Sequence, residues 1–68
     1  MNWFVLEIED GRPEIFVSKM SREDKVLEAY VQGKGIRLSG PIKYTDKAES
    51  TLATGKKIAV YTAHAVVI

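Results

Sequence analysis

Residue types that commonly carry catalysis are sparse in this chain. The only histidine is His64, which shares one face of a predicted strand with Thr62 and Val66. Nucleophilic catalysis needs a nucleophile, a base and an orienting group, and no serine lies in a G-x-S-x-G sequence. We therefore interpret His64 as a packed or interface histidine, and we predict that the protein is not an enzyme.

Two carboxylates have the spacing of an acid–base pair. Glu7 and Glu9 are two residues apart, so they lie on the same face of a predicted strand. A general acid at neutral pH needs a carboxyl whose pKa is raised by apolar surroundings, and no apolar group is placed to do this. We interpret the pair as solvent-facing acids of a hairpin.

The second half of the chain is basic. Residues 34–68 carry six bases against two acids and residues 1–33 carry seven acids against four bases, which sums to the net charge of +1. A dipolar surface of this kind can steer an anion to one side, although a solvated surface without function is the simpler explanation. The candidate residues for binding an anion or a nucleic acid are Arg37, Lys43, Thr45, Lys47, Lys56 and Lys57.

Thr45 has a particular place in this set. It precedes a predicted helix, and the free amides at a helix N-terminus, flanked here by Lys43 and Lys47, can hold a phosphate or a carboxylate. Tyr44 and Tyr61 could stack on bases if the partner were a nucleic acid. The alternative is an ordinary capped helix, and no nucleic-acid-binding motif is present in the sequence.

Composition limits the other classes of function. The chain has 68 residues and no cysteine, so disulfides and cysteine-containing zinc sites are excluded, and we expect no metal or cofactor. No apolar run approaches the roughly 20 residues that span a bilayer, and the opening residues lack the basic region of a signal peptide. We expect a cytoplasmic protein with a single domain, residues 1–68.

The first segment is predicted to form a β-hairpin. Apolar and polar residues alternate over residues 2–9 with the period of a strand that has one buried face. Asp10-Gly11 follows, a strong hairpin signal because glycine adopts positive φ without steric cost. The return strand is expected over residues 14–20.

A helix is predicted directly after the hairpin. Ser21 is placed to cap its free amides, and acidic residues fill the first turn, where the helix dipole favours negative charge. An apolar stripe at helical spacing follows. We expect the helix over residues 22–32, with Gly33 as the residue that ends it.

The second half is predicted to form a strand, a helix and a strand. Residues 36–44 alternate in polarity, and Gly40-Pro41 interrupts them, which predicts a bent, bulged or edge strand. A weak helix is expected over residues 46–54, which present alanine and leucine on one side. Residues 56–68 are strongly β-prone and apolar on both faces, which indicates a central strand.

The predicted fold class is α+β: a single small domain of order ββαβαβ, with a four-stranded sheet and two short helices on one face. This arrangement leaves the second sheet face uncovered, and monomers rarely expose contiguous apolar surface. We favour a surface for self-association or for a partner, the alternative being that these residues complete an internal core. The predicted interface residues are Trp3, Val5, Tyr61, Ala63, Ala65 and Val67.

Residues 37–49, 55–61 and 65–67 combine a predicted strand, a short Ala/Glu helix and a final strand of the type AVY…AVV. In this pattern the chain resembles the tails of small uncharacterised α+β proteins encoded by phages and prophages. The resemblance covers under half of the chain, and the short helix here is poorer in alanine and leucine. It implies an origin in a mobile element and transfers no functional residue.

These features predict a small non-enzymatic binding protein that acts as a homo-oligomer. It would occupy a protein partner or sequester a small anionic ligand, as a phage accessory protein or inhibitor would. The alternative is a nucleic-acid-binding module that uses the basic residues 34–68.

Overall fold

The chain folds into a five-stranded antiparallel sheet with one helix against one face, as seen in a computed structural model that describes residues 2–63. The order of strands across the sheet is β2-β1-β5-β4-β3, so the last strand lies at the centre. The elements are β1 (Asn2–Ile8), β2 (Glu14–Ser18), α1 (Glu23–Lys34), β3 (Lys43–Tyr44), β4 (Ala48–Thr51) and β5 (Lys57–Thr62).

The predicted hairpin is confirmed. β1 and β2 pair antiparallel, with Phe4 opposite Phe16, and the amide of Gly11 donates a hydrogen bond of 2.8 Å to the carbonyl of Ile8. The left-handed backbone conformation in the turn belongs to Asp10, at φ 67, and not to the glycine. Aspartate is one of the few residues that tolerate this conformation. Asp10-Gly11 therefore forms the predicted turn, but Asp10 and not Gly11 has the positive φ.

The predicted first helix forms, but its start is displaced by one residue. α1 begins at Glu23, and Arg22 occupies the N-cap position in an extended conformation without a side-chain hydrogen bond. The prediction that Ser21 caps the helix is therefore wrong. Glu23 and Asp24 fill the first turn as expected, which favours the start electrostatically.

The end of α1 lies two residues beyond the predicted one. Gly33 is inside the helix, and Gly35 ends it in the left-handed conformation, at φ 68. The amides of Gly35 and Ile36 donate to the carbonyls of Gln32 and Val31, which satisfies groups that the helix end leaves without partners.

The predicted second helix is wrong, and with it the predicted fold class. Residues 48–51 form β4, which pairs with β5 on one side and β3 on the other, so the element order is β-β-α-β-β-β with five strands and one helix. Serine and threonine are poor helix formers, and a short helix made of them is marginal. Every residue of β4 pairs with β5, and Ala48 and Glu49 also pair with β3. This pairing provides the backbone with more hydrogen-bond partners than a short exposed helix would.

The predicted strand over residues 36–44 is wrong in its extent, because only Lys43-Tyr44 form β3, while the predicted interruption at Gly40-Pro41 takes the form of a bulge at the sheet edge. Leu38 bridges to Leu52, and Lys43 pairs with Glu49, so residues 39–42 face only residues 50 and 51. Proline has no N–H to donate, and glycine adopts backbone conformations that other residues rarely do, so both suit the extra, unpaired residues of a bulge. Ser50 secures the loop, because its hydroxyl lies 3.2 Å from the carbonyl of Gly40 and 3.3 Å from that of Pro41.

The core lies between α1 and the sheet. Leu27 is fully buried, and it packs with neighbours on the helix and with the sheet face that carries Phe4. Phe16 extends this core as a bridge between aromatic rings, with centroids 6.2 Å from both Phe4 and Tyr30. The buried residues of the core are Phe4, Leu6, Val26, Leu27, Val31, Ala48, Leu52, Ile58 and Val60.

No helix formed by residues 2–63 is long and apolar enough to cross a membrane.

Candidate functional site

The sheet face opposite α1, here called the open face, has no helix over it among residues 2–63. Strand side chains alternate between faces, so the residues of β1 that flank Phe4 and Leu6 in sequence point away from the helix. Val5 illustrates this, because it is buried yet does not belong to the core cluster beneath α1. The open face is therefore formed by Trp3, Val5, Glu7, Ile15, Val17, Lys43, Glu49, Ala59 and Tyr61.

One half of the open face is apolar. Trp3 lies opposite Val17, and Val5 lies opposite both Ile15 and Tyr61. We call Trp3, Val5, Ile15, Val17 and Tyr61 the apolar cluster. Val5 is 2% exposed at its centre, whereas Trp3 and Ile15 are each 59% exposed and Val17 is 40% exposed. Trp3, Ile15 and Val17 are thus three large apolar residues that lie side by side with 40% or more of their surface exposed.

The structure places the predicted interface residues in three different situations. Trp3, Val5 and Tyr61 lie together in the apolar cluster, and Val5 is the buried residue at its centre. Ala63 follows β5 and is buried. The predicted residues Ala65 and Val67, as well as His64, lie outside the described residues.

Two members of the apolar cluster are not among the interface residues predicted from the sequence. Ile15 and Val17 have the parity of one face of β2, and the hairpin register sets them opposite Val5 and Trp3. The sequence contains the information that places them there, because the position of the Asp10 turn determines which residues of β2 oppose which residues of β1. The return strand was recognised, but its side chains were not assigned to faces.

The other half of the open face is charged. A row of directly opposed residues crosses four strands, from Lys43 through Glu49 and Ala59 to Glu7. This row lines an open depression of about 760 Å³ between the β1–β2 turn and the bulge loop at Gly40. The charged residues that line the depression are Glu7, Glu9, Lys43, Lys47, Glu49 and Lys57.

Charges of both signs balance within the depression. Lys47 approaches Glu49 at 3.8 Å, and the backbone amide of Lys57 donates a hydrogen bond of 3.2 Å to Oε1 of Glu9. Glu7 also acts on Tyr61, whose pKa is raised above 10.0 by burial first, and then by the nearby charge of Glu7 and a hydrogen bond to it. The phenol of Tyr61 therefore stays protonated and links the charged half to the apolar cluster.

The six predicted anion-binding residues are only partly brought together. Lys43, Lys47 and Lys57 line the depression, whereas Arg37 and Lys56 do not. The helix N-terminus on which the predicted anion site at Thr45 depends does not form, because residues 48–51 are β4. Thr45 lies in the turn between β3 and β4, and its hydroxyl donates to Oδ1 of Asp46 at 3.1 Å.

A polar cluster at the start of α1 was not anticipated. The two carboxylate oxygens of Glu23 accept hydrogen bonds from the hydroxyls of Tyr44, at 2.8 Å, and Thr62, at 2.7 Å. Arg22 lies 5.0 Å above the ring of Tyr44 and pairs with Asp24 at 3.0 Å. Tyr44 and Thr62 are 21 and 39 positions from Glu23 in the chain, and no sequence pattern connects such distant positions.

The chemistry of Glu23 points to a structural role. Burial acts to raise its pKa, but the hydrogen bonds from Thr62 and Tyr44 outweigh burial and hold the pKa below 4.5. A general acid needs the opposite shift. Across residues 2–63, no three histidine, cysteine, aspartate or glutamate side chains are grouped to hold a metal ion.

Comparison with known proteins adds no assignment, since no family model, curated protein or solved structure matches this chain. The short helix of the phage-type pattern is not formed here, because β4 occupies its place.

Proposed function

We propose that this protein is a small non-enzymatic binding protein that self-associates through the apolar cluster of its open face. The observation that carries the proposal is the side-by-side exposure of Trp3, Ile15 and Val17 around the buried Val5. Monomeric proteins rarely keep such a group in water, and aromatic side chains are enriched at the centres of protein interfaces. A second copy of the same chain is the occupant to which we commit.

The size of the chain supports self-association. A domain of about 60 residues buries only about 60% of the surface that its unfolded chain exposes, so its core alone gives marginal stability. Among residues 2–63, nine buried residues form the core cluster, and the sequence has no cysteine to add a disulfide. Covering Trp3 and its neighbours with a second copy would add apolar burial that one copy does not provide.

The charged half of the open face supports a protein as the further partner. Three lysines and three glutamates line the depression next to the apolar cluster. Protein surfaces offer complementary charges of both signs, whereas a polyanion would be repelled by Glu7, Glu9 and Glu49. The self-associated form would present two such depressions to one partner.

The experiment is sedimentation equilibrium of the full chain from about 1 µM to about 500 µM, because this range covers weak and moderate dimers. Trp3 is the only tryptophan, so its fluorescence reports on this surface alone. We expect a mass above that of one chain at the upper concentrations, with a blue shift of the emission. Ile15→Glu, which keeps the Trp3 reporter, should abolish both, while Met20→Glu, an exposed residue outside the apolar cluster, should leave them unchanged. A mass of 7.6 kDa at every concentration would overturn the proposal.

The nucleic-acid alternative rests on Lys43, Lys47 and Lys57, which the fold gathers around one depression. Binding through phosphate contacts weakens steeply as salt rises. The decisive measurement is a salt titration with single- and double-stranded oligonucleotides. We expect no saturable binding at physiological salt, and tight binding with a steep salt slope would replace the present proposal by this alternative.

The setting of this function remains the one proposed from the sequence. The absence of cysteine supports a reducing compartment, such as the cytoplasm. The pattern of residues 55–61 supports an origin in a phage or another mobile element.

A further inference from the structure

The outer edge of β2 carries backbone groups that pair with no strand formed by residues 2–63. The amide of Glu9 donates to the carbonyl of Lys57, which shows that odd-numbered residues of β1 bond to β5. Backbone direction alternates along an antiparallel strand, so the even-numbered residues of β1 bond to β2. Since Phe4 pairs with Phe16, the N–H and C=O groups of Ile15 and Val17 point outward, and no strand among residues 2–63 pairs with them.

The opposite edge of the sheet is protected. β3 has two residues, and the bulge at Gly40-Pro41 interrupts its pairing with β4. Short strands, bulges and prolines are the devices that prevent pairing with another chain. The hydroxyl of Ser50 also lies within hydrogen-bond distance of the carbonyls of Gly40 and Pro41, which holds the bulge loop in place along this edge.

At β2 such devices stand only at the ends of the strand, because Pro13 precedes it and Glu14 is its first residue. Its central residues, Ile15-Phe16-Val17, contain no charge, proline or bulge, and they pair regularly with β1. The flanking charges are Glu14 at one end and Lys19 just past the other. The two edges of the same sheet thus differ, and only the β2 edge has the form of a pairing site.

We propose that two copies of this chain join through β2 in an antiparallel pair centred on Phe16, so that two five-stranded sheets become one ten-stranded sheet. This inference rests on the proposed self-association and names its geometry. In this register Ile15 lies opposite the partner's Val17, and each bonds to the other through both backbone groups. The helices of the two copies lie on the same side of the sheet, and Ile15 and Val17 of each apolar cluster are covered by the partner's Val17 and Ile15.

Charge and side-chain matching support this arrangement. An antiparallel pair sets Glu14 opposite the partner's Ser18, with the partner's Lys19 next along the strand, whereas a parallel pair would set like charges against each other. The register centred on Phe16 opposes apolar residues on both faces. A shift by one pair in one direction would place Ile15 opposite the partner's Lys19, which buries part of a charged side chain. A shift in the other direction would place Val17 opposite the partner's Pro13, which has no N–H to donate.

The experiment uses the absence of native cysteine. Full-length Ile15→Cys and Val17→Cys chains are mixed in equal amounts and oxidised in a glutathione buffer. Opposed residues in antiparallel strands have Cα atoms about 5.5 Å apart, within the range for a disulfide. We expect the mixed 15–17 dimer to exceed both same-residue dimers several-fold. Random proportions, or a predominant same-residue dimer of either variant, would overturn the proposed register.

A second variant separates this inference from the proposed function. The chain is short enough for chemical synthesis, and methylation of the Val17 amide removes one outward donor while leaving the side chain in place. We expect this methylation to weaken the dimer at least tenfold in sedimentation, with an unchanged circular dichroism spectrum. A dimer that persists with its original affinity would reject pairing through β2 and leave self-association through the apolar cluster standing. A strict monomer before any modification would reject both.

Discussion

Thr62 donates a hydrogen bond of 2.7 Å from Oγ1 to Oε2 of Glu23, and so joins the end of the central strand to the first turn of α1. The other carboxylate oxygen of Glu23 accepts the hydroxyl of Tyr44 at 2.8 Å. One carboxylate therefore connects the helix to β3 and β5, two strands that are not neighbours in the sheet. Hydrogen bonds to a charged acceptor are stronger than those between neutral groups, so this junction orients the helix on the sheet.

Thr62→Val should destabilise the fold by about 1 kcal/mol, because valine keeps the β-branched shape and removes only the donor to Glu23. Urea unfolding followed by circular dichroism measures the free energy of unfolding. The matched control is Thr51→Val in β4, which we expect to change that free energy by less than about 0.5 kcal/mol. Equal effects of the two substitutions would show that the bond to Glu23 contributes nothing.

Stability should fall in acid partly through Glu23. Its pKa in the folded state is held below 4.5, so its contribution is present above the unfolded-state pKa and is lost as pH falls through the folded-state value. Glu23→Gln should lower the free energy of unfolding at neutral pH, and its difference from wild type should shrink as pH drops below about 4.5.

Urea titrations at a series of pH values test this dependence. Glu28→Gln, an exposed glutamate of the same helix, serves as the control and should follow the wild-type profile more closely. A Glu23→Gln profile parallel to that of wild type throughout the acid range would contradict the assignment.

Two glycines near the end of α1 should respond to alanine in opposite directions. Gly35 has φ 68, where a Cβ is strained, so Gly35→Ala should destabilise by about 1 kcal/mol. Gly33 lies inside the helix with open space around the added Cβ, so Gly33→Ala should stabilise by up to about 1 kcal/mol. Thermal unfolding of the pair measures both, and shifts of the same sign would place the helix end elsewhere.

Leu27→Ala should be the most damaging of these substitutions. Leu27 is fully buried between α1 and the sheet, and removing its side chain costs about 3 kcal/mol through lost burial and the cavity that remains. In a domain of this size that loss is a large share of the total stability. Met20→Ala, at an exposed position, is the control and should change the free energy of unfolding by less than about 0.5 kcal/mol in the same urea experiment.

The segment that sequence analysis interpreted wrongly shows why local patterns can be ambiguous. Ala48 and Leu52 are four residues apart, a spacing that puts two side chains on one face of a helix and also on one face of a strand. Ser50 between them is the deciding residue, since in the fold it shares their face and bonds to the bulge loop. That contact joins positions nine and ten residues apart, and it exists only after the loop has folded back.

The open face was anticipated in part. Trp3, Val5 and Tyr61 were expected to share a surface because each has the parity opposite to the core residues of its strand. Their partners Ile15 and Val17 follow only from the register of the hairpin, which pairs specific residues across β1 and β2. The gathering of Lys43, Lys47 and Lys57 with three glutamates was not predictable, because it depends on the order of all five strands.

Local signals in the sequence determined the hairpin, the first helix and the bulge at Gly40-Pro41, because each depends on the conformational preferences of a few adjacent residues. Only the tertiary structure decided that residues 48–51 form a strand, that Glu23 meets Thr62, and which edge of the sheet is left without a strand from residues 2–63. These features depend on contacts between residues far apart in the chain, whose free energies are realised only when the whole sheet has assembled.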